Sequence, residues 1–158
     1  MSDCCSPDSK NACPVAQNKP SGCPVCGTKG HVVRVLTVKS LVHDHTQVSP
    51  TASYLFCPSP ECDVVYFSTD RVFRKPEVKV RVGLKEKARP LPLCYCFDYT
   101  REDLQRDLKE YGRTDIPEKI KAEISAGYCS CEVKNPSGKC CLGDVTRAVQ
   151  EINATSRR

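Results

Sequence analysis

The chain has 158 residues and a formal net charge of +5, and 13 of its residues are cysteine. This length allows one modest domain or two very small ones, and a hydrophobic fraction of 39% without tryptophan implies a thin core. No stretch reaches the length of a membrane span and no secretory signal is visible, so we expect a cytoplasmic protein without membrane insertion. In reducing cytosol, many cysteines indicate metal or redox chemistry rather than disulfides.

The first segment, residues 1–22, is rich in Ser, Pro, Asn and Lys and carries Cys4, Cys5 and Cys13. Such a composition cannot bury enough apolar surface to fold alone, so it predicts a disordered, flexible tail. Thiols on a mobile arm would suit a soft ion such as Cu(I) or Hg(II). Uncommitted thiols are an equally good interpretation, because a lone Cys-Cys pair is a weak signal.

Residues 23–90 are predicted to form a small β-rich subdomain. Their apolar runs are short and rich in β-branched residues, and the last run alternates valine with lysine and arginine, which indicates one wet face. A charged stretch that contains several prolines follows, and it predicts the connector to a second half. The predicted strands lie within residues 31–42, 54–56, 64–67 and 78–82.

Residues 91–155 change to helical periodicity and predict a short helical subdomain, so the expected fold class is α+β. The first helix should begin with a Thr-x-x-Asp cap that ends in Asp103, and Gly112 should end it. The second helix should carry a stripe of isoleucines behind Pro117 in its first turn. The predicted caps of the three helices are Thr100, Thr114 and Asp144.

The first set of thiols is a Cys-x-x-Cys-Gly knuckle followed about thirty residues later by a second cysteine pair. Two thiolates lie on one side of such a bend, and Gly27 permits the backbone to turn under a metal. Four thiolates would close a tetrahedral, structural zinc site without an open position. The candidate ligands are Cys23, Cys26, Cys57 and Cys62. The alternatives are that the second pair is merely buried, or that a histidine substitutes as a ligand: His31, His43 or His45.

The second set of thiols has a different spacing. A Cys-x-Cys motif stands before a predicted helix, and its partners follow roughly 35–45 residues later, which is not a usual zinc-finger pattern. It resembles the bacterioferritin-associated ferredoxin type of [2Fe–2S] module, where two loops present cysteine pairs. Predicted helices after Cys96 and Cys141 would direct their N-terminal amides toward an anionic cluster. The cysteines of this set are Cys94, Cys96, Cys129, Cys131, Cys140 and Cys141.

The residues between the thiols make a closer resemblance. The order of motifs from about residue 23 to residue 149 is similar to the N-terminal domain of the CopZ copper chaperone family. The motifs are Phe56-Cys57, Cys62-Asp-Val-Val-Tyr-Phe67, Val72-Phe-Arg-Lys75, Arg81-Val-Gly83, Cys94-Tyr-Cys96 and Asn135-Pro-Ser-Gly-Lys-Cys-Cys141. In that family the domain holds one zinc and one [2Fe–2S] cluster.

By matching positions, the resemblance implies zinc at Cys23, Cys26, Cys57 and Cys62. It implies the cluster at Cys94, Cys96, Cys131 and Cys141, with Cys129 and Cys140 as alternates. Two such centres would each carry a charge of about −2 and would offset most of the +5. The family continues into a βαββαβ domain with its own Cys-x-x-Cys motif. This chain ends at Arg158 without it, so delivery through that domain is not expected.

The resulting hypothesis is a metallochaperone-like protein that handles copper, as Cu(I), or another soft metal, with a one-electron role for the cluster. We expect no enzyme, although one-electron reduction of a metal is left open. The expected partner is a metal-transport or redox protein, and a homodimer is also considered. The alternatives are a ferredoxin-like electron-transfer or redox-sensing protein and, with weaker support, a zinc-ribbon module that binds nucleic acid through Lys29, Arg34 and Lys39.

Overall fold

The computed structural model describes residues 20–158, and their architecture mixes helices with antiparallel sheet, which confirms the expected α+β class. The strands are β1 (His31–Val33), β2 (Tyr54–Phe56), β3 (Val64–Phe67), β4 (Val72–Arg74), β5 (Pro92–Cys94) and β6 (Tyr99–Thr100). The helices are α1 (Val35–Leu41), α2 (Arg101–Tyr111), α3 (Ile116–Ser125), α4 (Cys131–Lys134) and α5 (Leu142–Ser156). The first four strands form one sheet in sequence order, and β5 pairs with β6.

The four-stranded sheet builds the core of the first half. Every residue of β2 and β3 is buried, so these central strands are apolar on both faces. Val38 and Leu41 of α1 share one buried apolar cluster with Phe73 of β4. Leu55 and Phe67 point into a second, smaller apolar cluster that also contains three cysteines. The sheet therefore separates the main core from a thiol-rich end.

The second half is a group of helices around its own apolar core. Leu104, Ile120 and Val145 of α2, α3 and α5 are fully buried there. The predicted cap is confirmed, because the backbone N–H of Asp103 donates to Thr100 Oγ1 at 3.3 Å and its carboxylate accepts from the Thr100 N–H at 2.9 Å. Gly112 ends α2 at a φ of 69°, as its sequence position predicts.

One strand prediction is wrong, since only the first three residues of the 31–42 run are a strand and the next part is α1. β-branched residues favour strands only weakly, and packing overrides that preference here. Thr37, Val38 and Leu41 lie on one helical face and are all buried. Helical spacing thus gives this segment a larger buried face than an extended run would.

The predicted strand at residues 78–82 is also absent from the described part of the chain. Val78 and Val82 are buried as the alternation predicts, but the segment makes only an isolated bridge between Val42 and Val78. The available edge of β3 pairs instead with β4, a strand absent from the predicted set. Short 3₁₀ turns on both sides then hold the valines without a ladder.

Two helices have their N-caps one and three residues away from the predicted positions. Thr114 still accepts a hydrogen bond from the Ile116 N–H at 3.3 Å, but Asp115 is the cap position of α3. α5 begins at Leu142, so Asp144 lies inside its first turn, where the positive end of the helix dipole stabilises a carboxylate. Helix ends are the least certain feature of any pattern, because neighbouring residues compete for the same backbone groups.

The two halves are packed together along one face. Helix α1 of the first half lies against α4 of the second half. The buried Tyr66 hydroxyl donates to the Pro136 carbonyl at 2.6 Å, which ties the sheet to the loop between α4 and α5. The predicted boundaries at 1–22, 23–90 and 91–155 stay a prediction. Within the described residues, none of the helices combines the length and the apolar character that crossing a bilayer would require.

Candidate metal centres

The knuckle that carries the first two thiols is a tight turn. The Gly27 N–H donates to the Cys23 carbonyl at 2.8 Å, and Gly27 has a φ of 73°, which favours glycine over residues with a Cβ. The Cys23 N–H donates to the Thr28 carbonyl at 2.9 Å and closes the turn from the other side. Both thiols are thereby held on the same end of the sheet.

The second cysteine pair belongs to the connection between β2 and β3. Cys57 follows β2 and continues its ladder, because its N–H donates to the Val65 carbonyl at 2.9 Å. Cys62 closes a turn through its N–H, which donates to the Ser59 carbonyl at 3.4 Å. The sheet therefore sets the position of this pair directly.

The four thiols meet as the sequence predicts. All four Sγ atoms lie within 4.8 Å of one another. Cys23 Sγ and Cys62 Sγ are 3.9 Å apart, and Cys26 Sγ and Cys57 Sγ are 3.6 Å apart. A tetrahedral zinc with Zn–S bonds of about 2.3 Å separates its thiolates by about 3.8 Å. The residues present thus fit a four-thiolate zinc ion.

The protonation of these thiols depends on their burial. Burial raises the pKa of Cys57 to about 12 and also raises the pKa of Cys62. The exposed Cys26 is the contrary case, because hydrogen bonds from Thr28 lower its pKa to about 6. Buried thiols do not ionise together without a compensating cation, so the set is suited to a divalent metal.

A buried lysine that the sequence pattern does not reveal supports this centre. Lys85 is only 4% exposed, and its Nζ donates to the Ser59 carbonyl at 2.6 Å and to the Cys62 carbonyl at 3.0 Å. It comes from the charged connector, where no spacing distinguishes it from its solvated neighbours. The three histidines are exposed and lie outside the thiol group: His31, His43 and His45.

The four thiols that the resemblance assigns to the cluster come from one hairpin and the starts of two helices. Cys94 ends β5, and Cys96 lies in the turn to β6. Cys131 is the first residue of α4, and Cys141 stands immediately before α5. Cys94 and Cys141 are neighbours, with Sγ atoms 2.9 Å apart, and Cys96 Sγ lies 3.4 Å from Cys131 Sγ. The four therefore form two pairs.

The two alternates behave differently from each other. Cys129 Sγ lies 3.3 Å from Cys131 Sγ, and with Cys96 these thiols form a group within 4.8 Å. Cys140 is exposed, lies outside that group and lines a cavity of about 670 Å³ between the halves. Proximity thus keeps Cys129 as a candidate ligand and gives Cys140 no comparable place.

Electrostatics within the second set also divide the thiols. A hydrogen bond from Cys141 lowers the pKa of Cys94 to about 6, and the same contact raises the pKa of Cys141. Burial raises the pKa of Cys131 and of Cys96. Each pair thus contains at least one thiol that ionises only with difficulty, and a bound cation would remove this penalty.

Two pairs of thiols are what a binuclear iron–sulfur centre requires, since each iron takes two cysteine ligands. Cys94 with Cys141 would serve one iron, and Cys96 with Cys131 the other. The residues present fit such a group and leave Cys129 as a fifth thiol beside it. The tail thiols Cys4, Cys5 and Cys13 lie outside the described residues.

Comparison with known proteins places this geometry in a family. A family model described as the CopZ-type "Zinc binding domain" matches residues 20–79, the part that holds the four-thiol group. The Copper chaperone CopZ of Archaeoglobus fulgidus is 40% identical over 120 residues, which are 75% of this chain and 57% of that protein. The chain therefore spans little more than half the length of this curated relative.

A solved structure extends the similarity to both halves. The X-ray structure of the Archaeoglobus fulgidus CopZ N-terminal domain has 38% sequence identity and a TM-score of 0.64, and the match covers 80% of this chain and 95% of that one. The match therefore exceeds the zinc-binding part alone. The chain belongs to the family of the CopZ N-terminal domain.

Proposed function

We propose that this chain is a metallochaperone-type protein that holds one structural zinc ion and one [2Fe–2S] cluster and handles copper or another soft metal. The observation that carries the proposal is the arrangement of the thiols into one group of four and two close pairs. Membership of a family whose relative is named a copper chaperone supports the choice of cargo.

In the first half, the chain supplies every ligand of its metal, so that the coordination shell is closed. Cys23, Cys26, Cys57 and Cys62 supply four ligands, which leaves a tetrahedral zinc no open position for a substrate. Lys85 hydrogen-bonds the turn between the last two ligands and places a positive charge beside an anionic centre. This arrangement serves folding rather than catalysis.

In the second half, the chain binds a redox group near the surface. Cys94 and Cys141 are fully buried, whereas Cys96 and Cys129 are half-buried and face the outside of the site. When bound, a [2Fe–2S] cluster would supply one-electron chemistry, sufficient in kind to convert Cu(II) to the Cu(I) that thiolates bind. We propose no other enzymatic activity.

The remaining parts of the hypothesis concern cargo and partner. Soft thiolates select Cu(I), and its proposed binding site is formed by the tail thiols Cys4, Cys5 and Cys13. The proposed partner is a metal-transport or redox protein in the cytoplasm. Titration of Cu(I) into the intact chain and into a chain that begins at Ser21, with a competing chelator, should show a loss of bound copper in the shorter chain. Equal stoichiometry and affinity would exclude the tail.

The second candidate is an electron-transfer or redox-sensing protein that carries no cargo. The half-buried position of Cys96 favours it, because electron transfer needs a cluster close to the surface. A redox-active cluster together with an absence of Cu(I) binding would support this second candidate over the first.

The deciding experiment is metal and acid-labile sulfide analysis with visible absorption on anaerobically purified protein. We expect one zinc, two irons and two sulfides per chain. Cys94→Ser should bleach or shift the charge-transfer bands, because oxygen is a harder ligand than thiolate. A colourless protein with zinc bound to the second thiol set would contradict the cluster and would return nucleic-acid binding to consideration.

A further inference from the structure

We propose that Cys129 is an alternative ligand to Cys131, so that either thiol can complete the cluster site together with Cys96. The inference rests on the proposed [2Fe–2S] centre and deepens it, because it concerns which thiols hold one of the two irons. It follows from the geometry of the thiols and not from the position of the cysteines in the sequence.

The distances place both thiols within reach of a metal ion that Cys96 binds. Cys131 Sγ lies 3.4 Å from Cys96 Sγ and 3.3 Å from Cys129 Sγ, and all three atoms lie within 4.8 Å of one another. Thiolates that share one tetrahedral metal are about 3.8 Å apart. An ion bound to Cys96 is therefore within reach of either Cys129 or Cys131.

The two thiols lie on different kinds of backbone and differ in exposure. Cys131 is the first residue of α4, and its carbonyl accepts the Asn135 N–H at 3.0 Å. Cys129 precedes the helix, in the short link that follows α3. It is half-buried, whereas Cys131 is buried. A ligand fixed on a helix thus stands next to one on a more exposed link.

The exchange itself is balanced. One iron–sulfur bond to Cys131 breaks, one iron–sulfur bond to Cys129 forms, and the incoming thiol transfers its proton to the outgoing thiolate. The charge of the site and the number of electrons are unchanged, since a thiolate replaces a thiolate. The released thiol stays beside the site, where a soft ion could bind it.

Cys140 and Cys141, which are neighbours in the sequence, provide a matched control. Cys140 is a direct neighbour of the proposed ligand Cys141, as Cys129 is a near neighbour of Cys131. However, Cys140 is exposed and faces the cavity between the halves, while Cys141 is fully buried against Cys94. Cys140 is next to Cys141 in the sequence, but without a short Sγ–Sγ distance it should not replace Cys141 as a ligand.

The test uses alanine variants of the full chain, because alanine cannot ligate iron whereas serine can. After anaerobic purification, iron, sulfide and visible circular dichroism are measured for C129A, C131A, the double variant C129A/C131A, and C141A. We expect both single variants to retain the cluster, with a shifted spectrum in C131A. The double variant and C141A should lose it.

Loss of the cluster in C131A alone or in C129A alone would overturn the proposal, because one thiol would then be indispensable. Retention in the double variant would overturn it too, since neither thiol would be a ligand. If the wild-type protein itself holds no iron, the proposed function fails first and this inference fails with it.

Zinc content reports whether each variant has folded. If C131A lacks zinc, the question is put to the wild-type holoprotein by brief alkylation and peptide mapping. Label on both Cys129 and Cys131 supports the exchange, and label on one of them alone overturns it.

Discussion

Four thiols in the first half and five in the second half come together, but the backbone that carries them differs. Cys57 and Cys62 are attached to two fully buried strands, and their partners sit on a single hydrogen-bonded knuckle. The cysteines of the second half come from a hairpin, a link and the starts of α4 and α5. The first arrangement fits one ion in one geometry, whereas the second has more thiols than its proposed cluster needs.

The difference teaches what each half is built for. A thiol quartet on a rigid sheet gives a closed site that stabilises the fold, since metal binding and folding are coupled. A set distributed over loops and helix starts can accept changes of ligand, which a protein that passes metals or electrons can use. The halves are not independent, because the Tyr66 hydroxyl of the sheet donates a hydrogen bond to the Pro136 carbonyl, in the loop between Cys131 and Cys141.

The largest effect is expected when one cysteine of the four-thiol group is replaced. Cys57→Ser removes one of four ligands at a fully buried position, so we expect loss of zinc and a decrease in the free energy of unfolding of more than about 4 kcal/mol. Zinc content and thermal melting followed by circular dichroism measure both. The control is Cys140→Ser, an exposed thiol that should leave both unchanged. If Cys57→Ser kept its full zinc content and an unchanged melting temperature, the assignment of Cys57 as a zinc ligand would be wrong.

A smaller effect is expected at the lysine that supports the zinc turn. Lys85→Met keeps the buried chain length but leaves the Ser59 and Cys62 carbonyls without their charged donor, at a cost of about 2–3 kcal/mol. Zinc should also transfer faster to a chelator. Lys87→Met is the control, because Lys87 reaches the same turn through Glu61 but is exposed. Equal zinc-release rates in the two variants would show that Lys85 does not support the centre.

The link between the halves is tested by one hydroxyl. Tyr66→Phe leaves the Pro136 carbonyl without its donor and should cost about 1–2 kcal/mol, and the cluster should be lost faster in air. Tyr54→Phe is the control, since this equally buried hydroxyl only accepts from the Ser49 N–H. The half-life of the visible absorption separates the variants. If both lose colour at the wild-type rate, the sheet does not position the cluster loop.

Much of the thiol geometry could be predicted from spacing alone. A Cys-x-x-Cys-Gly knuckle needs only local backbone to bring two thiols together, and the strands beside the second pair were recognisable as short apolar runs on either side of it. The capping box at Thr100 was equally local. What these features share is that neighbouring residues in the sequence determine them, so no tertiary contact has to be known.

The parts that sequence reasoning missed depend on distant contacts. The segment after β1 has strand propensity but becomes α1, because α4 and the sheet offer it a buried helical face. Lys85 has its role through carbonyls more than twenty residues away. The choice between Cys129 and Cys131 could not be made either, since these two thiols meet Cys96 only through the tertiary approach of α4 to the turn between β5 and β6.

The smallest effect is expected at the surface of the contact between the halves. Arg34, just before α1, pairs with Glu132 of α4, and both side chains are more than half exposed. Exposed ion pairs contribute less than about 1 kcal/mol, because solvent screens them and both side chains lose conformational freedom. A double-mutant cycle with Arg34→Gln and Glu132→Gln should give a coupling of that size, decreasing with added salt. A coupling of several times that value would mean that this ion pair, and not apolar packing and the Tyr66 hydroxyl, holds α1 and α4 together.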